Sequence, residues 1–105
     1  MTKTIILIPS RLGALRLPNK PLLKINNKSL INHVYEVGQS TNIGEVYVAT
    51  GDQEILNEVQ KNNGKGILTN KTHLTGTDRI FEAYEKLNIN DVDYIINLQG
   101  DEPLI

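Results

Sequence analysis

The chain has 105 residues, 11 Lys plus Arg against 12 Asp plus Glu, a formal net charge of −1, 39% apolar residues and no Cys. This supports one domain with one modest core, burying roughly two thirds of its unfolded surface, and argues against disorder. Disulfides, thiolate catalysis and sulfur-ligated zinc are excluded, two scattered histidines make no metal cluster, and no apolar run approaches the roughly 18 residues of a membrane helix, so a cytoplasmic protein without membrane insertion is expected.

Thr4–Ile8 is β-branched and apolar, which predicts a strand buried on both faces that ends at Pro9. Residues 10–20 (SRLGALRLPNK) carry Gly13, Pro18 and two arginines with neither period, and read as a loop. Pro21–Ile25 is a short extended segment, Asn26-Asn27-Lys28 a turn, and Ser29 the N-cap of a first helix in which Leu30, Ile31, Val34, Tyr35 and Val37 recur at helical spacing until about Ser40. Glu45–Thr50 is the second strand, closed by Gly51 and by Asp52 as a cap. Ile55, Leu56 and Val59 mark a second helix that ends at Asn63-Gly64. Gly66–Thr69 is a third strand, Thr77-Asp78 starts a third helix with Ile80, Phe81, Tyr84 and Leu87 on one face, and Asp91–Leu98 ends in a fourth strand.

The alternation β, α, β, α, β, α, β calls for a mostly parallel sheet with helices on both faces, a Rossmann-like α/β three-layer sandwich. Ligands in such sheets lie beyond the carboxyl ends of the strands, at the point where strand order reverses. With the strand order 3-2-1-4, the loop after the first strand and the Gln99-Gly100-Asp101-Glu102-Pro103 segment after the fourth face one crevice. Charge is sorted to match, because residues 1–35 hold six bases and no acid while Glu36 onward holds five bases and all twelve acids. A basic segment in an acidic remainder suggests a local anion site; nucleic-acid binding would usually make the whole domain basic. Lys24 and Lys28 are read as ordinary surface residues.

The loop lacks both GxxxxGK[ST] and GxGxxG, which sets aside a Walker loop and an NAD-dependent oxidoreductase. Neutralising phosphate then falls on side chains, with Arg11 and Arg16 as bidentate forks and Lys20 as a point charge. Asp101 and Glu102 suit a hard cation such as Mg²⁺, which takes one or two carboxylates and completes its shell with water and phosphate oxygens. The alternative is that Asp101 caps a turn after Gly100. His33 reads as a structural histidine and His73 as a loop residue, while Tyr35, Phe81 and Tyr84 read as packing.

The segments IPSRLGALRLPNKPL at 8–22, HLTGTDRI at 73–80 and NLQGDEPLI at 97–105 resemble the 3-deoxy-manno-octulosonate (Kdo) cytidylyltransferases. The resemblance covers the whole chain. It implies a nucleotide-diphospho-sugar transferase type of fold, truncated here, with residues 1–105 as the CTP- and Mg²⁺-binding N-terminal part of a larger domain. It implies condensation of CTP with Kdo to CMP-Kdo and pyrophosphate for lipopolysaccharide biosynthesis, in an enzyme that is a homodimer at full length. The implied triphosphate loop comprises Pro9, Ser10, Arg11, Arg16 and Lys20. Thr75, Gly76 and Arg79 approach the cytosine on this resemblance, and Gln99 contacts the nucleotide. Asp101 is the implied magnesium ligand, catalytic together with Arg16 and Lys20. Leu15, Asn19 and Gly51 depart from the family pattern. The alternatives are a related acidic sugar such as 8-amino-Kdo, or a fragment that binds nucleotide and does no chemistry; the 105 residues alone are expected to be inactive.

Overall fold

A computed structural model describes residues 3–12, 20–70, 76–87 and 92–98; the side chains of Lys20, Gly76 and Thr77 lie outside the described set. The elements in chain order are β1 (Thr4–Ser10), a 3₁₀ turn (Lys20–Leu22), β2 (Lys24–Ile25), β3 (Lys28–Ser29), α1 (Leu30–Ser40), β4 (Glu45–Thr50), α2 (Gln53–Lys61), β5 (Gly66–Leu68), α3 (Gly76–Leu87) and β6 (Tyr94–Asn97). β1, β4, β5 and β6 form one parallel sheet in the order β5-β4-β1-β6, as expected, and β2 and β3 pair separately as an antiparallel hairpin. The strand order reverses between β1 and β6.

Both faces of the sheet are covered because the central strands are apolar on both. Ile6, Ile8, Val46 and Val48 pack with Ile31, Val34 and Tyr35 of α1 and Ile55 and Val59 of α2. Ile5, Leu7 and Ala49 pack on the opposite side with Ile80 and Ala83 of α3. The result is the expected three-layer sandwich.

β1 runs two residues past its expected end. Pairing with β4 continues to Ser10 opposite Thr50, whereas pairing with β6 stops at Leu7 opposite Asn97. Leu7 turns its carbonyl to the Leu98 N–H at 3.1 Å, which puts Pro9, two residues on, toward the same side. The N–H that proline lacks is therefore withheld where the described β6 ladder has already ended, so Pro9 stays in the strand at no cost to pairing with β4.

The helix boundaries follow local chemistry. The Ser29 hydroxyl accepts the Asn32 N–H at 3.4 Å and caps α1. α2 ends in a Schellman arrangement, with Gly64 N–H bonded to Val59 O at 2.8 Å and Asn63 N–H to Gln60 O at 3.0 Å. The left-handed residue there is Asn63, at φ 63°, and not Gly64. Glycine is needed at 64 for space, since a Cβ would stand 2.7 Å from a Val59 methyl. Asn26 and Asn27, both at positive φ (55° and 66°), make the two-residue turn of the β2–β3 hairpin. Lys28 in that hairpin is ion-paired with Glu36, whose carboxyl it draws below its ordinary value chiefly by hydrogen bonding.

Two packing expectations fail. Phe81 is 65% exposed, because α3 turns Ile80, Ala83, Tyr84 and Leu87 to the sheet and Phe81 lies one step of the helix outside that stripe. Val37 is likewise 40% exposed at the margin of α1. Tyr35 is buried as expected, with its hydroxyl accepting the Lys65 N–H at 3.0 Å, and His33 Nε2 lies 2.7 Å from the Ile25 carbonyl oxygen, a structural contact.

Candidate functional site

The carboxyl ends of β1, β4 and β5 converge on one buried polar patch. Ser10, Thr50, Thr69 and Arg79 are its buried polar residues, each less than a tenth exposed. Arg79 reaches the patch from the first turn of α3. Its Nε donates to Thr69 Oγ1 at 3.0 Å, Nη1 to the Ser10 carbonyl at 3.4 Å and Nη2 to the Asn70 carbonyl at 3.2 Å. One planar fork thus fastens α3 to the ends of β1 and β5, a task that the point charge of a lysine could not perform.

β4 contributes a second connection. The Thr50 hydroxyl accepts the Asp52 N–H at 3.1 Å, turning the chain out of the strand. Asp52 occupies the N-cap position of α2 as expected, and its carbonyl accepts the first helical N–H groups, from Ile55 and Leu56. Its carboxylate, however, makes no capping bond. It accepts instead the backbone N–H of Leu12, forty residues away, at 2.9 Å. The capping expectation is corrected accordingly: the side chain serves the loop that follows β1.

The electrostatics of the patch follow from burial. Removal from water draws the Arg79 guanidinium below its ordinary value, and Arg11 nearby adds to this, while Asp52 and Glu82 oppose it. Arg11 itself is exposed, and the Ser10 hydroxyl is buried with no hydrogen-bond partner among the described residues.

Of the residues singled out from the sequence, Pro9, Ser10, Arg11 and Arg79 come together here, with Gly76 opening α3 and Lys20 opening the 3₁₀ turn. Arg16, Thr75, Gln99, Asp101, Glu102 and His73 lie outside the described residues. Sequence reasoning placed Thr50-Gly51-Asp52 at a ligand-facing strand end without giving Thr50 a role, missed Thr69 and Asn70, and misassigned the Asp52 side chain. The signal available was the polar pair closing each of two strands, Thr50–Asp52 and Thr69–Asn70, in a sheet where ligands gather at strand ends.

These features define a Rossmann-like α/β protein whose polar apparatus is gathered at the carboxyl edge of its sheet, where the exposed Arg11 follows β1. A sequence model of the family described as cytidylyltransferase matches residues 5–105, and the chain belongs to that family. It is 50% identical, over 97% of its length, to the 3-deoxy-manno-octulosonate cytidylyltransferase of Thermodesulfovibrio yellowstonii, of which it covers 42%. It is 46% identical, over 98% of its length, to the 8-amino-3,8-dideoxy-manno-octulosonate cytidylyltransferase of Shewanella frigidimarina, again covering 42% of that protein. Among solved structures, it matches a CMP:2-keto-3-deoxy-manno-octonic acid synthetase complexed with CTP at 47% identity and a TM-score of 0.90, over 99% of this chain and 42% of that one. The chain therefore spans well under half the length of these relatives.

Proposed function

We propose that this chain forms the CTP-binding portion of a cytidylyltransferase that activates Kdo to CMP-Kdo with release of pyrophosphate. The observation that carries this reading is the position of Arg11, exposed at the carboxyl end of β1, where the strand order reverses; the matched synthetase, whose structure covers 99% of this chain, was solved in complex with CTP. On this reading Arg11, Arg16 and Lys20 grip the triphosphate, with the backbone of Pro9 and Ser10 as floor. Thr75, Gly76 and Gln99 face the nucleoside. Arg79, already bonded to three protein oxygens, steadies the base side of the site from below.

The reaction is attack of the sugar's anomeric hydroxyl oxygen on the α-phosphorus of CTP. A new C–O–P ester forms, the bond from the α-phosphorus to the bridging oxygen breaks, pyrophosphate leaves with that electron pair, and the hydroxyl proton passes to solvent. Catalysis here is positioning and charge stabilisation, and one well-aimed donor to the developing phosphate charge is worth about 3–4 kcal/mol.

Among the described residues no three His, Cys, Asp or Glu side chains come together to hold a metal. The hard oxygen donor of Asp101 fits a magnesium ion that takes one protein carboxylate and completes its shell with phosphate oxygens and water. When bound, Mg²⁺ would neutralise phosphate charge; the residues of this chain supply the remaining orientation.

The sugar could equally be the 8-amino analogue, since relatives named for either sugar match at similar identity. We further propose a cytoplasmic, homodimeric full-length enzyme serving lipopolysaccharide synthesis; among the described residues no helix is long and apolar enough to cross a membrane.

The direct test replaces Arg16 or Lys20 by Ala in a full-length enzyme carrying this segment. Turnover should fall by orders of magnitude with the circular dichroism spectrum unchanged. Near-normal turnover in both variants would remove the phosphate role.

A further inference from the structure

The peptide groups on either side of Arg11 are each held by a side chain from elsewhere in the fold. The Ser10 carbonyl, in the peptide before Arg11, accepts from Arg79 Nη1 at 3.4 Å. The Leu12 N–H, in the peptide after it, donates to Asp52 Oδ2 at 2.9 Å. A residue has only two soft backbone dihedrals, and these describe the orientation of its two flanking peptide planes. Anchoring both planes therefore fixes φ and ψ of Arg11 and with them the direction of its Cα–Cβ bond. The anchors come from separate elements, Asp52 from the β4–α2 junction and Arg79 from α3.

We infer that Asp52 and Arg79 form a two-jawed clamp that aims Arg11, which makes Asp52 a positioning residue for the anion-binding loop. A carboxylate beside a site for a polyanion would repel the ligand unless its charge were engaged elsewhere. Here it is engaged by an N–H of the loop and sits near the buried Arg79 guanidinium. The inference rests on the reading of Arg11 as a phosphate ligand only for its kinetic consequence; the clamp itself is a matter of backbone order.

The two parts are separable by experiment in a full-length enzyme carrying this segment. Amide hydrogen exchange at Leu12 reports the clamp, and Asp52→Ala should reduce its protection at least tenfold, with Asp52→Asn, which retains an acceptor oxygen, losing less. Unchanged Leu12 protection in Asp52→Ala overturns the clamp whatever Arg11 does. The steady-state KM for CTP reports the consequence, and Asp52→Ala should raise it about tenfold with the KM for the sugar unchanged. In an Arg11→Ala background the same substitution should add less than twofold, because its effect is transmitted through Arg11; a full tenfold addition contradicts the positioning role. Arg11→Ala with a normal CTP KM would sink the phosphate reading of Arg11, and the exchange result would still judge the clamp. If Asp52→Ala proves too unstable to purify, Asp52→Asn carries both measurements, with a CTP KM between wild type and Arg11→Ala as the expected result and a wild-type KM with wild-type Leu12 protection as the contrary one.

Discussion

The Nε of Arg79 donates to the hydroxyl of Thr69 at 3.0 Å, in a patch where the two residues are only 4% and 5% exposed. Both ends of that bond are out of water, so its loss cannot be made good by solvent. Arg79→Met should lower the stability of the folded chain by about 3 kcal/mol, because acceptors in the patch lose their donor. Arg79→Lys should recover only part of this, since an ammonium lacks the planar fork that spans Thr69, Ser10 and Asn70. Urea denaturation of the three proteins checks the order; equal stability of the Lys and wild-type forms would refute the fork argument.

The hairpin turn offers a backbone test. Asn26 and Asn27 stand at φ 55° and 66°, a region that costs an ordinary L-residue roughly 1–2 kcal/mol. Asn27→Gly should leave stability within a few tenths of a kcal/mol, whereas Asn27→Val should cost about 1–2 kcal/mol. Thermal melts of the two variants should separate clearly, and equal melts would contradict the turn geometry.

Much of this fold is legible in the chain. The strand order and the layering follow from strands that are apolar on both faces, Ile5–Ile8 above all, alternating with amphipathic helices. The end of α2 at Asn63-Gly64 is legible too, with asparagine taking the left-handed position and glycine there for room; Asn26, Asn27, Asn42 and Asn63 are the non-glycine residues at positive φ among those described. Where the reading slipped, a local signal had two physical meanings. Asp52 reads as a capping residue because it stands before a helix, but its partner is Leu12, and a contact across forty residues has no local signature. Phe81 fits the helical period almost as well as its neighbours, and only the angle at which α3 meets the sheet turns it outward. The basic segment was recognisable by composition, while the hydroxyls and carbonyls at the carboxyl edge emerge only when three strand ends are brought together.

Alkaline pH should act through Tyr47. Burial, helped by the O–H donated to the Glu45 carboxylate at 2.7 Å, pushes its phenol up to about 12. An unfolded tyrosine ionises near 10, so the folded state holds this proton more tightly. The associated stability is present in full below about pH 10 and is lost as pH rises toward about 12. Tyr47→Phe should flatten the fall in denaturation midpoint between pH 9 and pH 11.5, and an unaltered slope would place the titrating group elsewhere.

β6 is the edge of the described sheet, and it presents Tyr94, Ile95 and Ile96 at 62%, 40% and 38% exposure. An apolar strand edge of this kind templates pairing with other chains. We expect the 105-residue chain to self-associate at high concentration and Ile95→Lys to suppress this; sedimentation velocity that shows the same association in both would acquit β6.

The function proposed for this chain is binding of CTP at the carboxyl edge of its sheet, for transfer of CMP to a sugar acid. It is tested most directly by incubating a full-length enzyme that carries this segment with Mg²⁺, CTP labelled at the α-phosphate and a panel of sugar acids including Kdo and its 8-amino analogue. The expected result is label in a CMP-sugar ester with unlabelled pyrophosphate released in equal amount, for one of these sugars above the rest. Failure to consume CTP with every sugar in the panel, by a folded enzyme, would contradict it.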